Sequence, residues 1–352
     1  MTVAHTGVVD ACSSQAVVGR KHTGDVVEAL PEDIEDLRPL IHWLASCAYP
    51  RTGTIGRWKA VRVPRGWNNI VYRAQTGMLA VAVKFTARDA RDRAGREHRA
   101  LLLLAEAGLE VAPTPLGLIR DDLPHPVVIS TWLDGVVSDE PPAIDGEWDR
   151  LVRHYAAIHT VAPSDGRSDL PMAVMTMTGT APGRARLQTE VEGLAPFGVP
   201  PEISDLLGLV TAAQLPDVVA PRRRLCRCDT NIGNVVRRDR AWASVDWEYA
   251  GWGDPAFELT DLMLHPAHDA VTPTCWRQVA EMYAACHGDE TLLERAHVYE
   301  PLMACWWAVR FTRMIVEPDS GRLAGTRLDP ASARIRQQRY LARAHELLER
   351  SV

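Results

Sequence analysis

The chain has 352 residues, of which 46% are hydrophobic and 24% charged, and a formal net charge of −6. That length allows a large core in one two-lobed unit or two domains, and the mildly acidic balance argues against a nucleic-acid-binding surface spread over the protein. No run is long and apolar enough for a membrane span, the N-terminal segment lacks the basic start and apolar run of a secretory signal, and seven scattered cysteines suit a reducing cytoplasm better than a disulfide framework.

In chain order, residues 1 to 30 are small and polar without periodicity and read as a loosely held tail. Pro31 to Cys47 reads as a helix with acids in its first turn, where the helix dipole favours them. Val61, Val63, Ile70, Tyr72 and the run Met78 to Phe85 are β-favouring, and the segments Gly66-Trp67-Asn68-Asn69 and Gln75-Thr76-Gly77 split them. We expect three antiparallel strands joined by turns. Ala87 to Ala107 reads as a helix ended by Gly108, and Leu116 to Ile119 and Val127 to Thr131 read as two further strands. Beyond Asp134-Gly135 helical periodicity dominates: Trp148 to Thr160, Pro201 to Ala213, Pro255 to Leu264, Cys275 to Cys286, Leu292 to Val316 and Ala331 to Leu348. The one β island there is Leu225 to Trp247. The expected class is α+β, a small antiparallel β lobe (31–133) followed by a larger, mainly helical lobe (134–352).

The chemistry concentrates in that island. Asp229 is followed five residues later by Asn234 and, after a short hairpin, by Asp246. Phosphoryl transfer needs a carboxylate for the attacking hydroxyl and hard oxygen ligands for magnesium, and this is the order in which one loop delivers them. Asn231 and Gly233 would let the loop curl without a helix, with Val235-Val236 and Ala243 to Val245 as the strands presenting it. Alone, Asp-x4-Asn also describes a capped turn before a hairpin. Lys84, ending the apolar run Leu79 to Val83, and Glu97, in the following helix, add the lysine that grips phosphates and the glutamate that holds it. The bland alternatives are a solvated strand end and an exposed helical charge. Glu106 competes with Glu97 but lies near the helix end. Gly66, Asn68 and Asn69 would form the turn over the phosphates.

Taken together, Gly66-Trp67-Asn68-Asn69, Lys84, Glu97, Tyr155 to His159, Asp229-x4-Asn234, Val245-Asp246-Trp247-Glu248 and Gly253-Asp254-Pro255 resemble the aminoglycoside phosphotransferase and choline kinase superfamily over residues 55 to 320. The resemblance implies a protein-kinase-like bilobal fold and ATP (or GTP) with two Mg²⁺ sites. It also implies transfer of the γ-phosphoryl group to a small-molecule hydroxyl, and an adenine-contacting hinge at residues 129–135. Two positions depart from the family pattern. Arg227 stands two residues before Asp229, where the family usually has His, and Glu258 follows Pro255-Ala256-Phe257, where relatives often have Asp.

Other signals carry less. Gly251-x-Gly253-x-x-Ala256 imitates a dinucleotide fingerprint, but Asp254 as N-cap and Pro255 as first helical residue explain it as a helix start. Cys226-x-Cys228 reads as a structural pair on one strand face, His265, His268 and Asp261 as a poor zinc set, and His159 as a packing or capping residue. Trp306-Trp307 is either core or an aromatic wall for a cationic substrate. Glu248, Glu258, Asp261 and Asp269 could hold an amine, although some are structural. The expected function is a cytoplasmic, Mg²⁺- and ATP-dependent small-molecule kinase acting on an aminoglycoside-, choline- or sugar-like hydroxyl, with no nucleic-acid or membrane partner. Oligomeric state is unreadable. The alternatives are a non-catalytic nucleotide-binding protein on the kinase fold and a protein kinase. The second is disfavoured because Trp-Glu-Tyr follows Asp246 and a helix starts by Pro255.

Overall fold

A computed structural model describes residues 30–64, 69–77, 79–163, 170–220, 222–239, 241–317 and 328–350. Gly66 and Asn68 lie outside the described residues. The N-terminal lobe begins with α1 (Arg38–Ser46) and the strands β1 (Thr52–Ile55), β2 (Trp58–Arg62), β3 (Ile70–Thr76) and β4 (Leu79–Phe85). Helix α2 (Arg93–Glu106) and strands β5 (Pro115–Ile119) and β6 (Val127–Thr131) complete it. The strands form one antiparallel sheet in the order β1-β2-β3-β4-β6-β5. Side chains alternate across it. Val81, Val83 and Phe85 join Leu40, Ile41 and Leu44 of α1 in one core, which turns Lys84 to the opposite face, where α2 packs.

The second lobe carries α3 (Asp145–Ile158), α4 (Thr180–Glu192), α5 (Pro201–Ala212), α6 (Pro255–Leu264), α7 (Pro273–His287), α8 (Leu292–Val316) and α9 (Pro330–Glu349). Of its short strands, β9 (Val235–Arg237) pairs on one side with β7 (Val136–Val137) and on the other with β10 (Ala243–Ser244), and β8 (Arg224–Cys226) pairs with β11 (Gly251–Gly253). Helix α8 is the axis, packed against α4, α6 and α9. No helix among the described residues is long and apolar enough to cross a membrane.

The sequence reading differs from the fold in several places, among them α1, which starts at Arg38 rather than Pro31, and β7, a strand outside the expected β island. Strand β1 was not expected, because Thr-Gly-Thr-Ile offers one strong apolar residue. Helix α2 starts six residues late. Asp92 takes a left-handed conformation (φ +49°) and its carboxylate accepts the Gly95 amide, so it caps the helix and leaves residues 87–91 outside it. Helix α4 escaped notice because Pro182 and Gly183 interrupt its start. Gly183 is needed there, since a Cβ would fall 2.8 Å from Leu302 of α8. Strand β11 is glycine-rich, and its register against Cys226 and Leu225 is set by its partner.

Candidate active site

The catalytic segment is held in shape by its own backbone. Strand β8 ends at Cys226, and Cys228 (φ +53°) then turns the chain into the left-handed region immediately before Asp229. Asp246 (φ +64°) does the same on the return. Such residues cost of order 1–3 kcal/mol each and persist only where the surroundings fix them. Here the fixing is visible. The Cys228 amide donates to Glu258 Oε1 at 2.7 Å, and Glu258 Oε2 meets His159 Nε2 at 2.6 Å. Both side chains are almost fully buried. Burial pushes the Glu258 carboxyl up, but the His159 and Cys228 hydrogen bonds hold it below its usual range. His159 therefore does more than end α3. Together with Cys226 it forms a tight group around Glu258, but the Glu258 carboxylate is already spent on hydrogen bonds.

Between the two turns the loop closes on itself. The Asn231 side chain accepts the Gly233 amide, and residues 232–234 form a single 3-10 turn, where the sequence suggested a curl without helix. That turn brings Asn234 Nδ2 to 2.7 Å from Asp229 Oδ2, while the Asn231 amide donates to Asp229 Oδ1 at 3.2 Å. Burial raises the Asp229 pKa to about 6, partly offset by the nearby Arg227 guanidinium. Arg227 is 0% exposed, and its Nη1 donates to the Val245 carbonyl at 3.3 Å. One buried cation thus braces the strand entering Asp229 against the residue before Asp246.

Across the cleft, Lys84 Nζ lies 2.5 Å from Glu97 Oε2 and 2.5 Å from Asp246 Oδ1. Burial alone would lower the lysine pKa, but the Asp246 and Glu97 carboxylates raise it instead. One ammonium serves both acids, and burial keeps Glu97 above the usual carboxylate range. Glu106 is exposed at the end of α2 and takes no part. Asn69 is buried, and its Nδ2 donates to Glu248 Oε2 at 2.9 Å.

Glu248 is the link the sequence did not disclose. It also accepts from Arg93 Nη1 at 2.9 Å, so it ties the β2–β3 turn and α2 to the segment carrying Asp246. Arg96, one turn on, donates to the Ala250 and Met172 carbonyls at 2.7 and 2.8 Å. The only sign in the sequence was a pair of arginines flanking Glu97 by one and four positions.

Acids expected to be available for an amine are engaged. Glu248 and Glu258 are bound as above, Asp261 accepts the Thr230 hydroxyl at 2.9 Å, and Asp269 pairs with Arg339. His265 Nδ1 accepts the Ala267 amide and His268 Nε2 meets the Thr230 carbonyl, so neither is poised for zinc. Cys226 and Cys228 are buried. Trp307 is core, stacked on Phe311 and Tyr340, while Trp306 is half-buried. Asp254 caps α6 through the Ala256 amide and is gripped by Arg295, so the helix starts at Asp254-Pro255 as expected, while Gly251–Gly253 form β11.

Solved structures share this arrangement of lobes. A spectinomycin phosphotransferase in complex with ADP and spectinomycin aligns over 88% of this chain and 98% of its own, at 13% identity and a TM-score of 0.55. A choline/ethanolamine kinase family protein from Mesorhizobium loti covers 89% and 98% at 17% identity and 0.55. A choline kinase from Cryptosporidium parvum covers 90% and 97% at 11% identity and 0.59. These likenesses identify the bilobal, kinase-like fold. No curated protein sequence matches the chain. Residues 59–294 match the model of the phosphotransferase enzyme family, and the chain belongs to that family.

Proposed function

We propose that the protein transfers the γ-phosphoryl group of ATP (or GTP) to a hydroxyl of a small molecule, with the nucleotide side built from residues 31–133 and the catalytic and acceptor side from residues 134–352. The observation that carries this reading is the convergence of Lys84, Glu97 and Asp246 at 2.5 Å contacts from sheet, helix and loop, beside the Asp229–Asn234 pair. Asp229 orients the acceptor hydroxyl and takes its proton. Its raised pKa, near 6, leaves it ionised at neutral pH yet more basic than an ordinary aspartate. Lys84, held by Glu97, binds the phosphates, with Asn69, Gly66 and Asn68 as further phosphate-side residues.

The donor set suits Mg²⁺. Asn234 uses its Nδ2 on Asp229, which leaves its carbonyl oxygen, and the Asp246 side chain is 30% exposed toward the cleft, giving hard oxygen ligands. When bound there, the metal supplies charge neutralisation on the transferred group. Helix α6 begins at Pro255, nine residues after Asp246, and that leaves no long segment to dock a peptide, which supports a small-molecule acceptor over a protein substrate.

The test is Asp229→Ala, assayed by ADP release, with thermal shift by ATP measured with and without Mg²⁺. We expect turnover to fall by about 10²–10⁴ while Mg²⁺-dependent stabilisation by ATP persists. Wild-type turnover in the variant would remove the role given to Asp229. No metal-dependent stabilisation of the wild type, with no ADP release, would favour a non-catalytic protein.

A further inference from the structure

Helix α8 reaches toward the catalytic loop through Trp307, whose ring lies 5.2 Å from that of His265, while His268 meets the Thr230 carbonyl beside Asp229, and the acids of this region are not available to a polyamine. Every acid from Trp247 to Asp269 is engaged. Glu248 is held by Arg93 and Asn69, Asp254 by Arg295, Glu258 by His159, Asp261 by Thr230 and Asp269 by Arg339. Burial further raises the Asp261 pKa to about 7, so it offers at most a partial charge at neutral pH.

Arg310 is half-buried on α8 and makes no hydrogen bond or ion pair among the described residues. It stands one turn from Trp306, so guanidinium and indole share the partly open stripe of the helix, while Trp307, Ala308, Val309 and Phe311 are buried. Arg313, further along, is already spent on Glu190 and Glu317. Arg310 is close enough to Tyr249 to lower the pKa of its phenol, which burial raises, and the same phenol feels Asp229. Tyr249 lies three residues after Asp246, with the Arg91 guanidinium 5.5 Å over its ring.

From this arrangement, and resting on the phosphotransfer reading above, we propose that Arg310 determines acceptor specificity and that the acceptor is an anionic hydroxyl compound, carrying a carboxylate or phosphate that Arg310 binds. A planar guanidinium presents paired donors that match either anion, and a partly desolvated site strengthens the contact. Between Trp247 and Asp269 a polycation finds no carboxylate that is not already engaged, whereas Arg310 offers a positive charge. Trp306 then packs the apolar face of the acceptor instead of caging an ammonium group.

The full chain is assayed for ADP release at saturating Mg²⁺-ATP with D-glycerate, D-glucuronate and glucose 6-phosphate against glucosamine, choline and kanamycin. We expect kcat/KM to be at least about tenfold higher for an anionic member, with the carboxylates and the phosphate compared directly to identify the preferred group. Arg310→Gln should lower that kcat/KM about tenfold or more through the acceptor KM, with the KM for ATP within about twofold and partial rescue by Arg310→Lys. These factors correspond to about 1.4 kcal/mol or more. Equal or faster turnover of the amines overturns the inference. So does the absence of turnover with every anionic member, or an Arg310→Gln effect confined to ATP. If Mg²⁺-ATP stabilises the wild type and Asp229→Ala abolishes ADP release while the charge preference fails, only this inference falls. If those two controls fail, the phosphotransfer reading falls with it.

Discussion

The two sides of the cleft are built on opposite principles. On the proposed nucleotide side the charged groups are braced: Lys84 by Glu97 and Asp246, Glu248 by Arg93 and Asn69. On the proposed acceptor side Arg310 and Trp306 are half-buried, and Arg310 has no ionic partner among the described residues. Prepaid alignment of dipoles and charges serves a step that is the same in every turnover. Open, unpaired groups serve recognition, because their energy is released only when the right ligand binds. The contrast implies that substitutions on the nucleotide side act on the chemical step, and those around Arg310 act on which molecule undergoes it.

The largest way to break this contrast after Asp229 is Lys84→Met. It should lower kcat by about 10²–10³ whatever the acceptor, since one preorganised electrostatic group is lost. An effect that varied with acceptor charge would blur the two sides. A smaller effect is expected beneath the loop. Glu258→Ala strips the Cys228 amide of its acceptor in a buried site, which should destabilise the protein by about 1–3 kcal/mol. It should also lower kcat more than acceptor KM, with Glu258→Gln restoring most of both. A KM effect alone would show that the carboxylate does not position Asp229.

The smallest effect sharpens the acceptor side. Asp261 is buried with its pKa raised to about 7, so it favours the folded state when protonated. That contribution is full below an ordinary aspartate pKa near 4 and is lost as pH rises to about 7. Asp261→Asn keeps an oxygen for the Thr230 hydroxyl and removes the titration. Its urea midpoint should exceed that of the wild type at pH 8 by an amount equivalent to about 1 kcal/mol or more, and the difference should shrink toward pH 5. A wild type whose stability relative to the variant rises over that range would contradict the assignment.

Much of this was readable from residue order, and the exceptions have physical causes. Lys84 and Glu97 were legible because a period-two strand and a capped helix each leave one charged residue facing the other. Asp229, Asn234 and Asp246 were legible because one short hairpin carries all three. The structural role of Glu248 was not legible, since its partner Arg93 lies 155 residues away and no local pattern records such a pairing. The left-handed Cys228 and Asp246 were invisible for another reason. Neither is a glycine, and their conformations are imposed by partners such as Glu258. Glu258 itself looked like a conservative change on a helix until the Cys228 amide was found against it. Arg310 has no motif at all. Its proposed role rests on half-burial beside Trp306 and on the pairing of the acids between Trp247 and Asp269.

Helix α2 is fastened at three points within a little over one turn: Arg93 to Glu248, Arg96 to the Ala250 and Met172 carbonyls, and Glu97 to Lys84. Moving it away would break an ion pair, two carbonyl bonds and the lysine clamp together. A kinase whose corresponding helix can swing has an off position that a modification or partner can set. Here the helix is already fastened in place by residues of both lobes, so any such displacement would have to break all of these contacts at once.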